Sequence, residues 1–344
     1  MITQVAARPG KPKPADNATV VALCGGVGGV KLAQGLYQVL PPGTLTVVAN
    51  TGDDFQHLGL HISPDLDTVL YTLGGRADRE RGWGRANESW NFMAALGEIG
   101  GEQWFNIGDL DLAMHVQRTH WLQSGKPLSA FAQHVADQFG IDAHIAPMTD
   151  DAVETWVSTN KGLMPFQDYF VKERCEPEVK AVHFEAAANA RIPAMVQDAL
   201  RDPRLQAIVI CPSNPYLSID PILAIPGMRT MIAEADRPVI AVSPIIGGSA
   251  VKGPAAKIMY ELAIPQSWTS IARHYAGLAH GLLIDHSDHL GDENYPLMVE
   301  SAAILMKTLE DRRRLAETVL AFAAQLRTRK SDAGAPPPEL SHRI

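Results

Sequence analysis

The sequence predicts an α/β protein built on a Rossmann-like, open and mostly parallel β-sheet with helices on both faces. Continuous apolar runs of strand length, helix-period segments between several of them and a glycine-rich turn after the first run all favour this class. Apolar residues make up 46% and charged residues 20% of the 344-residue chain, which is typical of a globular protein. A chain of this length can bury one large core or two smaller ones.

The first element is a βαβ unit. The run TVVALC at 19–24 predicts a buried strand, and the glycines at 25–29 predict a turn. Apolar residues at helical spacing then predict a helix over 30–40, and TLTVVA at 44–49 predicts the second strand. Further strands of the same sheet are predicted at 181–184, 205–211, 238–243 and 281–285.

A smaller helical and β region is predicted to be inserted at 110–180, between the two core segments 19–110 and 180–330. Helices are expected at 109–123 and 128–139, followed by β-like pieces around 144–148 and 154–158. A last helix is expected at about 309–327, in which Arg312, Arg313 and Arg314 form a solvated face. Residues 331–344 are expected to be a disordered tail.

Charge and hydropathy disfavour nucleic-acid binding and membrane insertion. The 30 Lys and Arg against 38 Asp and Glu leave a formal charge of −8, whereas a nucleic-acid binder needs a basic face. No apolar run approaches the roughly 18 residues of a membrane span. Residues 1–18 resemble neither a signal nor a transit peptide, so we expect a disordered arm there and a cytoplasmic protein. For its oligomeric state we expect a homodimer, the commonest form of soluble oligomers.

The three cysteines, Cys24, Cys175 and Cys211, have irregular spacing and contain no CxxC pair for zinc or redox chemistry. Cys24 and Cys211 each end an apolar run, where a cysteine usually serves as a small buried hydrophobe. We expect both of them to be buried and unreactive.

The glycine stretch is the first candidate binding site. Gly25, Gly26, Gly28 and Gly29 stand between a strand and a helix, where backbone N–H groups can approach a phosphate, and Lys31 follows them. The stretch is not a Walker A loop, because no Lys-Ser/Thr pair closes it. It is also not a complete G-x-G-x-x-G fingerprint, because Lys31 occupies the place of the third glycine. A tight turn without a ligand is the alternative.

Four aspartates form the second candidate site. Asp53, Asp54, Asp65 and Asp67 follow the second strand, at the sheet edge where parallel α/β proteins bind ligands. Carboxylates beside a phosphate loop predict a hard divalent cation, Mg²⁺, held partly by substrate phosphates. As the alternative, Asp65 starts a helix after Pro64 while Asp53 and Asp54 form a turn.

Two later loops at strand ends offer small polar groups for a nucleotide. Ser213 and Asn214 follow one predicted strand, and Ser243, Gly247 and Gly248 follow the next. The segment 285–289, with two histidines and two aspartates, contains ligands for a transition metal but is more typical of a polar surface loop.

Eight motifs occur in order: GGVGGVK, NTGDD, ISPDLDTVLY, RGWG, IGDLDLA, PMTDD, CPSNPYLSIDPIL and VSPIIGGSAVKGPAAK. Over about residues 19–305 the sequence therefore resembles the 2-phospho-L-lactate transferase family, which builds the backbone of the deazaflavin coenzyme F420. The resemblance implies transfer of a phosphoacid from a guanosine-diphospho-activated donor to the ribityl hydroxyl of the deazaflavin Fo, with release of GMP. Such chemistry depends on charge neutralisation and in-line positioning, with Mg²⁺ as the cofactor.

The resemblance also implies roles for individual residues. The stretch Gly25 to Gly29 would face the diphosphate, while Ser213, Asn214 and the loop from Ser243 would hold the guanosine. Fo would contact Asp67 and Asn106, a position at which family members often carry Lys or Arg. The four aspartates would bind Mg²⁺. Asp67, or otherwise Asp54, would orient or deprotonate the acceptor hydroxyl.

Two other functions compete with the transferase. A related family of nucleotide-sugar-binding regulators shares the glycine stretch and the Asp-Asp turn but lacks the PDLDTVLY and RGWG motifs. A nicotinamide dehydrogenase is disfavoured by the missing third glycine and by the lack of an acid at the tip of the second strand. Among phosphoacids, phospholactate, phosphoenolpyruvate and phosphoglycerate all stay open.

Overall fold

The computed structural model describes residues 18–78, 80–250, 255–290, 295 and 297–333. The arm predicted at 1–18 lies outside these residues except for its last position. The tail predicted at 331–344 lies outside them beyond residue 333.

The described residues form fourteen strands and eleven α-helices. The strands are β1 Thr19–Cys24, β2 Leu45–Ala49, β3 Phe55–His57, β4 Leu60–Ile62, β5 His144–Pro147, β6 Glu154–Thr159, β7 Gly162–Pro165, β8 Val179–Glu185, β9 Leu205–Ile210, β10 Val239–Val242, β11 Ile245–Ile246, β12 Ser249–Ala250, β13 Gly281–Asp285 and β14 Met298–Ala302. The α-helices are α1 Gly26–Val39, α2 Pro64–Leu73, α3 Asn91–Glu98, α4 Asp109–Gln123, α5 Leu128–Gln138, α6 Ala194–Arg201, α7 Asp220–Ala224, α8 Met228–Glu234, α9 Ala255–Glu261, α10 Trp268–His274 and α11 Leu309–Ala333.

The main sheet has seven strands in the order β14-β13-β10-β9-β1-β2-β5, and every neighbouring pair is parallel. Alternate residues of its strands enter two separate cores: Val20 and Ala22 pack with α1, α2, α5 and α11, whereas Val21 and Leu23 pack with α6, α8 and α10. This alternation buries both faces of the sheet, which is why its strands are continuously apolar. The predicted α/β class is confirmed.

Both edge strands of the main sheet differ from the prediction. The piece at 144–148, predicted as part of the inserted region, forms β5 and pairs with β2, with Ile145 opposite Val47. Strand β14 was not predicted, because MVESA carries polar residues and has no continuous apolar run. Most residues of β14 are only half-buried, so its sequence signal is weaker than that of the central strands.

A second, antiparallel sheet has the order β7-β6-β8. The strand predicted at 181–184 belongs to this small sheet, so its assignment to the parallel sheet was wrong. Three of its four residues are half-buried and His183 is exposed, so it lacks the full burial of a central strand of the parallel sheet. The predicted boundaries of the inserted region at 110 and 180 stay a prediction.

Two helix boundaries also differ from those predicted from the sequence. Helix α1 begins at Gly26, so most of the glycine stretch forms the first turn of the helix and not a loop before it. Helix α11 begins at Leu309 as predicted but continues to Ala333. Helices α1 and α11 pack closely, because Gly35 presents no side chain to the Arg312 carbonyl.

Cys24 and Cys211 are buried and unpaired, as expected, and Cys175 is half-buried. Burial raises the pKa of the Cys24 thiol well above its ordinary value, which keeps it protonated and unreactive. Within the described ranges, no helix combines the length and the apolar character that crossing a membrane requires.

Candidate active site

The carboxyl ends of four neighbouring strands of the main sheet meet at one edge. Gly25 follows β1, Asn50 follows β2, Ser213 comes shortly after β9, and Ser243 follows β10. Because the strands are parallel, residues that are far apart in sequence converge at this edge. Four segments that carry predicted site residues or their neighbours therefore come together at this edge.

Direct contacts join the glycine stretch to two predicted site residues. The Gly25 N–H donates to Ser213 Oγ at 3.0 Å, and the Gly26 N–H donates to Asp65 Oδ1 at 2.7 Å. Asn50 Nδ2 donates to the other oxygen of Asp65 at 3.0 Å and to the Leu217 carbonyl at 3.3 Å. Asp65 thus receives a hydrogen bond from the first turn of α1 as well as starting its own helix.

The glycines at 25 and 29 are required by close packing. A Cβ at Gly25 would lie 2.5 Å from Asp65 Oδ2 and 2.9 Å from Asn50 Cβ. A Cβ at Gly29 would overlap Ser213 Oγ. Gly26 has φ of +64°, which disfavours other residues. Part of the glycine signal therefore reflects this packing and is independent of any ligand.

Asp53 is buried and has a carboxylate oxygen, Oδ1, without a hydrogen-bond partner. Burial raises its pKa well above the ordinary value, and the nearby charge of Asp65 raises it further. Burial also raises the pKa of Asp65, to about 6, against hydrogen bonds from Asn50 and Gly26 that lower it. A cation beside these carboxylates would offset both effects.

Asp54 is held by groups of the β3–β4 hairpin and the start of α2. Ser63 Oγ donates to Asp54 at 2.8 Å, and His61 Nε2 lies 3.0 Å from Asp54 Oδ2. Burial raises the Asp54 pKa, while the contact with His61 acts in the opposite direction. Both oxygens of Asp54 are thus used within the protein.

Asp67 lies in a buried charged network with residues of α4. Arg118, which is fully buried, donates to Asp67 Oδ1, and His115 Nδ1 lies 3.7 Å from Asp67 Oδ2. That second oxygen has no hydrogen-bond partner. Burial raises the Asp67 pKa, and the charges of Arg118 and His115 oppose the rise. The network continues from His115 Nε2 to Asp111 at 3.2 Å, and Tyr71 also donates to Asp111.

The α4 residues of this network were missed from the sequence. Asp111, His115 and Arg118 stand at i, i+4 and i+7, a spacing that places them on one helix face and that offered the signal. The helix itself was predicted but was treated as part of an insertion. Asn50 and His61, which hold Asp65 and Asp54, were missed as well.

Only some of these groups lie close enough together to bind one metal ion. Ligand atoms of Asp67, Asp111 and His115 lie within 4.8 Å of one another, and no other such set of three occurs in the described ranges. The four predicted aspartates thus do not converge as a single set. Asp53 and Asp67 each retain an unpartnered oxygen, whereas both oxygens of Asp65 accept hydrogen bonds.

Other predicted residues lie outside this cluster. Lys31 donates to the Met306 carbonyl at 3.3 Å and lines a separate cleft. Asn106 is exposed beside the buried Ile107. Asn214 caps the turn that follows β9, where its side chain accepts from the Tyr216 N–H at 3.0 Å.

The loop after β10 contacts the segment at 285–289. Ser243 is buried and bonds within its own loop to Ile245, while the Gly248 N–H donates to Asp288 at 3.1 Å. Gly247 approaches the neighbouring Ser287. Residues 251–254 of this predicted guanosine loop lie outside the described residues. Asp285 accepts hydrogen bonds from Ser287 and the Ile304 N–H, so local contacts occupy its carboxylate.

Comparison with known proteins shows the family of the chain. The sequence model of the family described as 2-phospho-L-lactate transferase CofD matches residues 20–304. A phosphoenolpyruvate transferase of Streptomyces coelicolor is 37% identical over 317 residues, which cover 90% of this chain and 99% of that protein. A 2-phospho-L-lactate transferase of Methanosarcina mazei is 37% identical over 304 residues, covering 88% of this chain and 99% of that protein.

The fold also matches solved structures. A crystal structure of a UPF0052 family member from Bacillus halodurans superposes with a TM-score of 0.60 at 13% identity, over 89% of this chain and 100% of that one. At such low identity the likeness concerns the fold alone. The family match extends over more than three quarters of the sequence and includes every motif of the site edge, and the chain belongs to the 2-phospho-L-lactate transferase CofD family.

Proposed function

We propose that this protein is a transferase of coenzyme F420 biosynthesis that moves a phosphoacid from a guanosine-diphospho-activated donor to the ribityl hydroxyl of Fo, with release of GMP. The observation that carries the proposal is the unpartnered Oδ2 of Asp67, buried in the first turn of α2, the same turn whose Asp65 accepts a hydrogen bond from the glycine stretch. The names of the relatives, which include both phosphoenolpyruvate and 2-phospholactate transferases, support the substrate class.

The donor would lie along the sheet edge. Its diphosphate would face the first turn of α1, where the positive end of the helix dipole and the N–H groups after Gly26 favour negative charge. Its guanosine would lie towards the ends of β9 and β10, near Ser213 and Ser243. This orientation presents the β-phosphorus to an acceptor bound beside α2.

Asp67 would act as the general base. Its Oδ2 accepts the proton of the ribityl hydroxyl while that oxygen attacks the β-phosphorus, and the bond to the GMP oxygen breaks. Arg118 fixes the other carboxylate oxygen, so that Oδ2 stays directed away from the guanidinium. A raised pKa suits a base of this kind, because it brings proton affinity closer to neutral pH.

Mg²⁺ fits the residues present, because Asp53 is buried with an unpartnered oxygen beside a second carboxylate. We propose that Asp53 is its main protein ligand, with Asp54 and Asp65 close by. When bound, Mg²⁺ supplies positive charge to the phosphate groups. Asp65 orders this edge by joining α1 to Asn50.

The proposed setting is a cytoplasmic homodimer that takes small-molecule substrates. Sedimentation velocity at micromolar concentration tests the oligomeric state, and a mass corresponding to one 37.2 kDa chain would contradict the dimer.

The decisive experiment incubates the protein with Fo and Mg²⁺ and, in separate reactions, with guanylylated phospholactate, phosphoenolpyruvate or phosphoglycerate. Mass spectrometry should detect one Fo–phosphoacid adduct and an equal amount of GMP. Absence of an adduct with all three donors would overturn the transferase. Tight binding of a guanosine or sugar nucleotide without turnover would instead favour the regulator class.

A further inference from the structure

A cleft of about 430 Å³ lies beside the candidate site, between α1, α2, the turn at 75–84 and the start of α11. Pockets from about 300 Å³ upwards accept small-molecule ligands. Its walls include Val27 in the first turn of α1 and Thr68, the residue after Asp67. The cleft therefore begins next to both the proposed phosphate site and the proposed base.

The charge of the cleft is opposite to that of the whole protein. Lys31, Lys307 and Arg312 line it, and the single carboxylate among its described lining residues belongs to Asp78. Asp78 accepts two hydrogen bonds from Arg81, each of 2.9 Å, which neutralise its charge locally. A protein with a formal charge of −8 thus contains a cationic cleft at the edge of its candidate site.

Two of the three cations are held in place by contacts between α1 and the chain around the start of α11. Lys31 Nζ donates to the Met306 carbonyl, and Arg312 Nη1 donates to Gln34 Oε1. The three cations come from two separate segments of the chain, which the packing of α1 on α11 brings together. Hydroxyl groups of Thr68, Thr72 and Thr308 add hydrogen-bonding capacity to the same walls.

We propose that this cleft binds the carboxylate-bearing end of the donor's phosphoacid, an inference that rests on the proposed function. With guanosine near β9 and β10 and the diphosphate at α1, the remaining end of the donor points past α1 towards α2. That end carries a carboxylate in phospholactate, phosphoenolpyruvate and phosphoglycerate alike. Lysine and arginine groups in a partly enclosed cleft recognise such an anion through charge-assisted hydrogen bonds.

Binding of two matched ligands tests the proposal without any turnover. Guanylylated phosphoenolpyruvate carries the carboxylate, whereas the β-ethyl ester of GDP has the same esterified diphosphate without it. Titration calorimetry with Mg²⁺ present and Fo absent would compare wild type with Lys307→Met, which removes one exposed charge. We expect about tenfold weaker binding of the carboxylate ligand and an unchanged affinity for the ethyl ester.

Arg313→Met is the control, because Arg313 carries the same charge on α11 but pairs with Glu310 and does not line the cleft. It should leave both affinities unchanged. Equal weakening of both ligands by Lys307→Met would overturn the inference, as would an unchanged affinity for the carboxylate ligand. Failure of wild type to bind the carboxylate ligand would overturn it too. Selective weakening without formation of any Fo adduct would keep the cleft assignment and defeat the transferase.

Discussion

At the scale of single residues, the buried Arg118 decides how Asp67 can act. Its guanidinium donates to Asp67 Oδ1 and, at 3.1 Å, to the His61 carbonyl, so one cation joins α2 to the β3–β4 hairpin. A buried carboxylate without this partner would be left uncompensated at considerable cost. The arrangement compensates the charge of Asp67 and leaves its second oxygen, Oδ2, buried without a hydrogen-bond partner.

Replacing Asp67 by Asn should abolish transfer, because the amide cannot accept the hydroxyl proton. The fold should persist with a lower unfolding temperature, because the amide keeps the size of the side chain but leaves the buried Arg118 without its carboxylate partner. Adduct formation by mass spectrometry and thermal unfolding would check the two parts. Asp202→Asn, in a surface ion pair with Arg204, is the matched control and should stay active. Near-normal turnover by Asp67→Asn would refute its role as base.

Arg118→Lys should reduce kcat by about 10²-fold while changing the KM for Fo little, because lysine keeps the charge but not the planar fork that orients Asp67. Steady-state kinetics would separate the two constants. Arg204→Lys makes the same exchange on the surface and should leave kcat unchanged. A large rise in KM with normal kcat would show that Arg118 serves binding and not the orientation of the base.

At the scale of elements, the contact of α1 with α11 connects the site to the last helix. Gly35 lies where α11 crosses α1, and a Cβ there would overlap the Arg312 carbonyl, which is backbone and cannot rotate away. The same packing aligns Lys31 with the segment before α11. Helix α11 thus supports the cationic cleft as well as burying one face of the sheet.

Gly35→Ala should lower the free energy of unfolding by about 1–3 kcal/mol, since the two helices must separate. Gly97→Ala in α3 is the control, because the group in its way is the mobile end of Gln103 and alanine favours a helix. Urea unfolding of both variants measures the difference. Equal stability of the two variants would show that α11 is not closely packed on α1.

At the scale of the whole molecule, the buried carboxylate of Asp65 makes the stability of the folded protein depend on pH. Burial raises the pKa of Asp65 from 3.8 to about 6, so between these values the folded protein holds a proton that the unfolded chain releases. Stability rises with pH only where the unfolded state binds more protons, and here the opposite holds. Asp65 therefore lowers the free energy of unfolding as pH increases through this window.

The variant Asp65→Asn should gain stability relative to wild type as the pH rises from about 4.5 to about 7 in the absence of Mg²⁺. Urea unfolding at several pH values gives the difference in free energy of unfolding between the variant and wild type. The variant also loses the Asn50 hydrogen bond, but that loss is independent of pH and does not change how the difference varies with pH. If Mg²⁺ binds beside these carboxylates, adding it should reduce the pH dependence of this stability difference. A difference independent of pH would contradict the raised pKa.

Much of the fold follows directly from local sequence. The central strands β1, β2, β9, β10 and β13 are buried on both faces, so each is a continuous apolar run that can be located from its composition alone. The strand-end motifs are equally local, and parallel strands place their carboxyl ends at one edge whatever the details of packing. The α/β class was predictable from these runs, and the family from the order of the motifs, whereas the position of the site stays a prediction.

The tertiary structure alone decided which groups meet. Asp67 and Arg118 are 51 positions apart, and Lys31 and Met306 are 275 apart, distances over which no periodicity carries information. The sheet to which residues 181–184 belong was decided in the same way, by pairing with β6. Local patterns determine strands and helices through burial and backbone geometry, whereas the partners of a buried charge depend on how the finished elements pack.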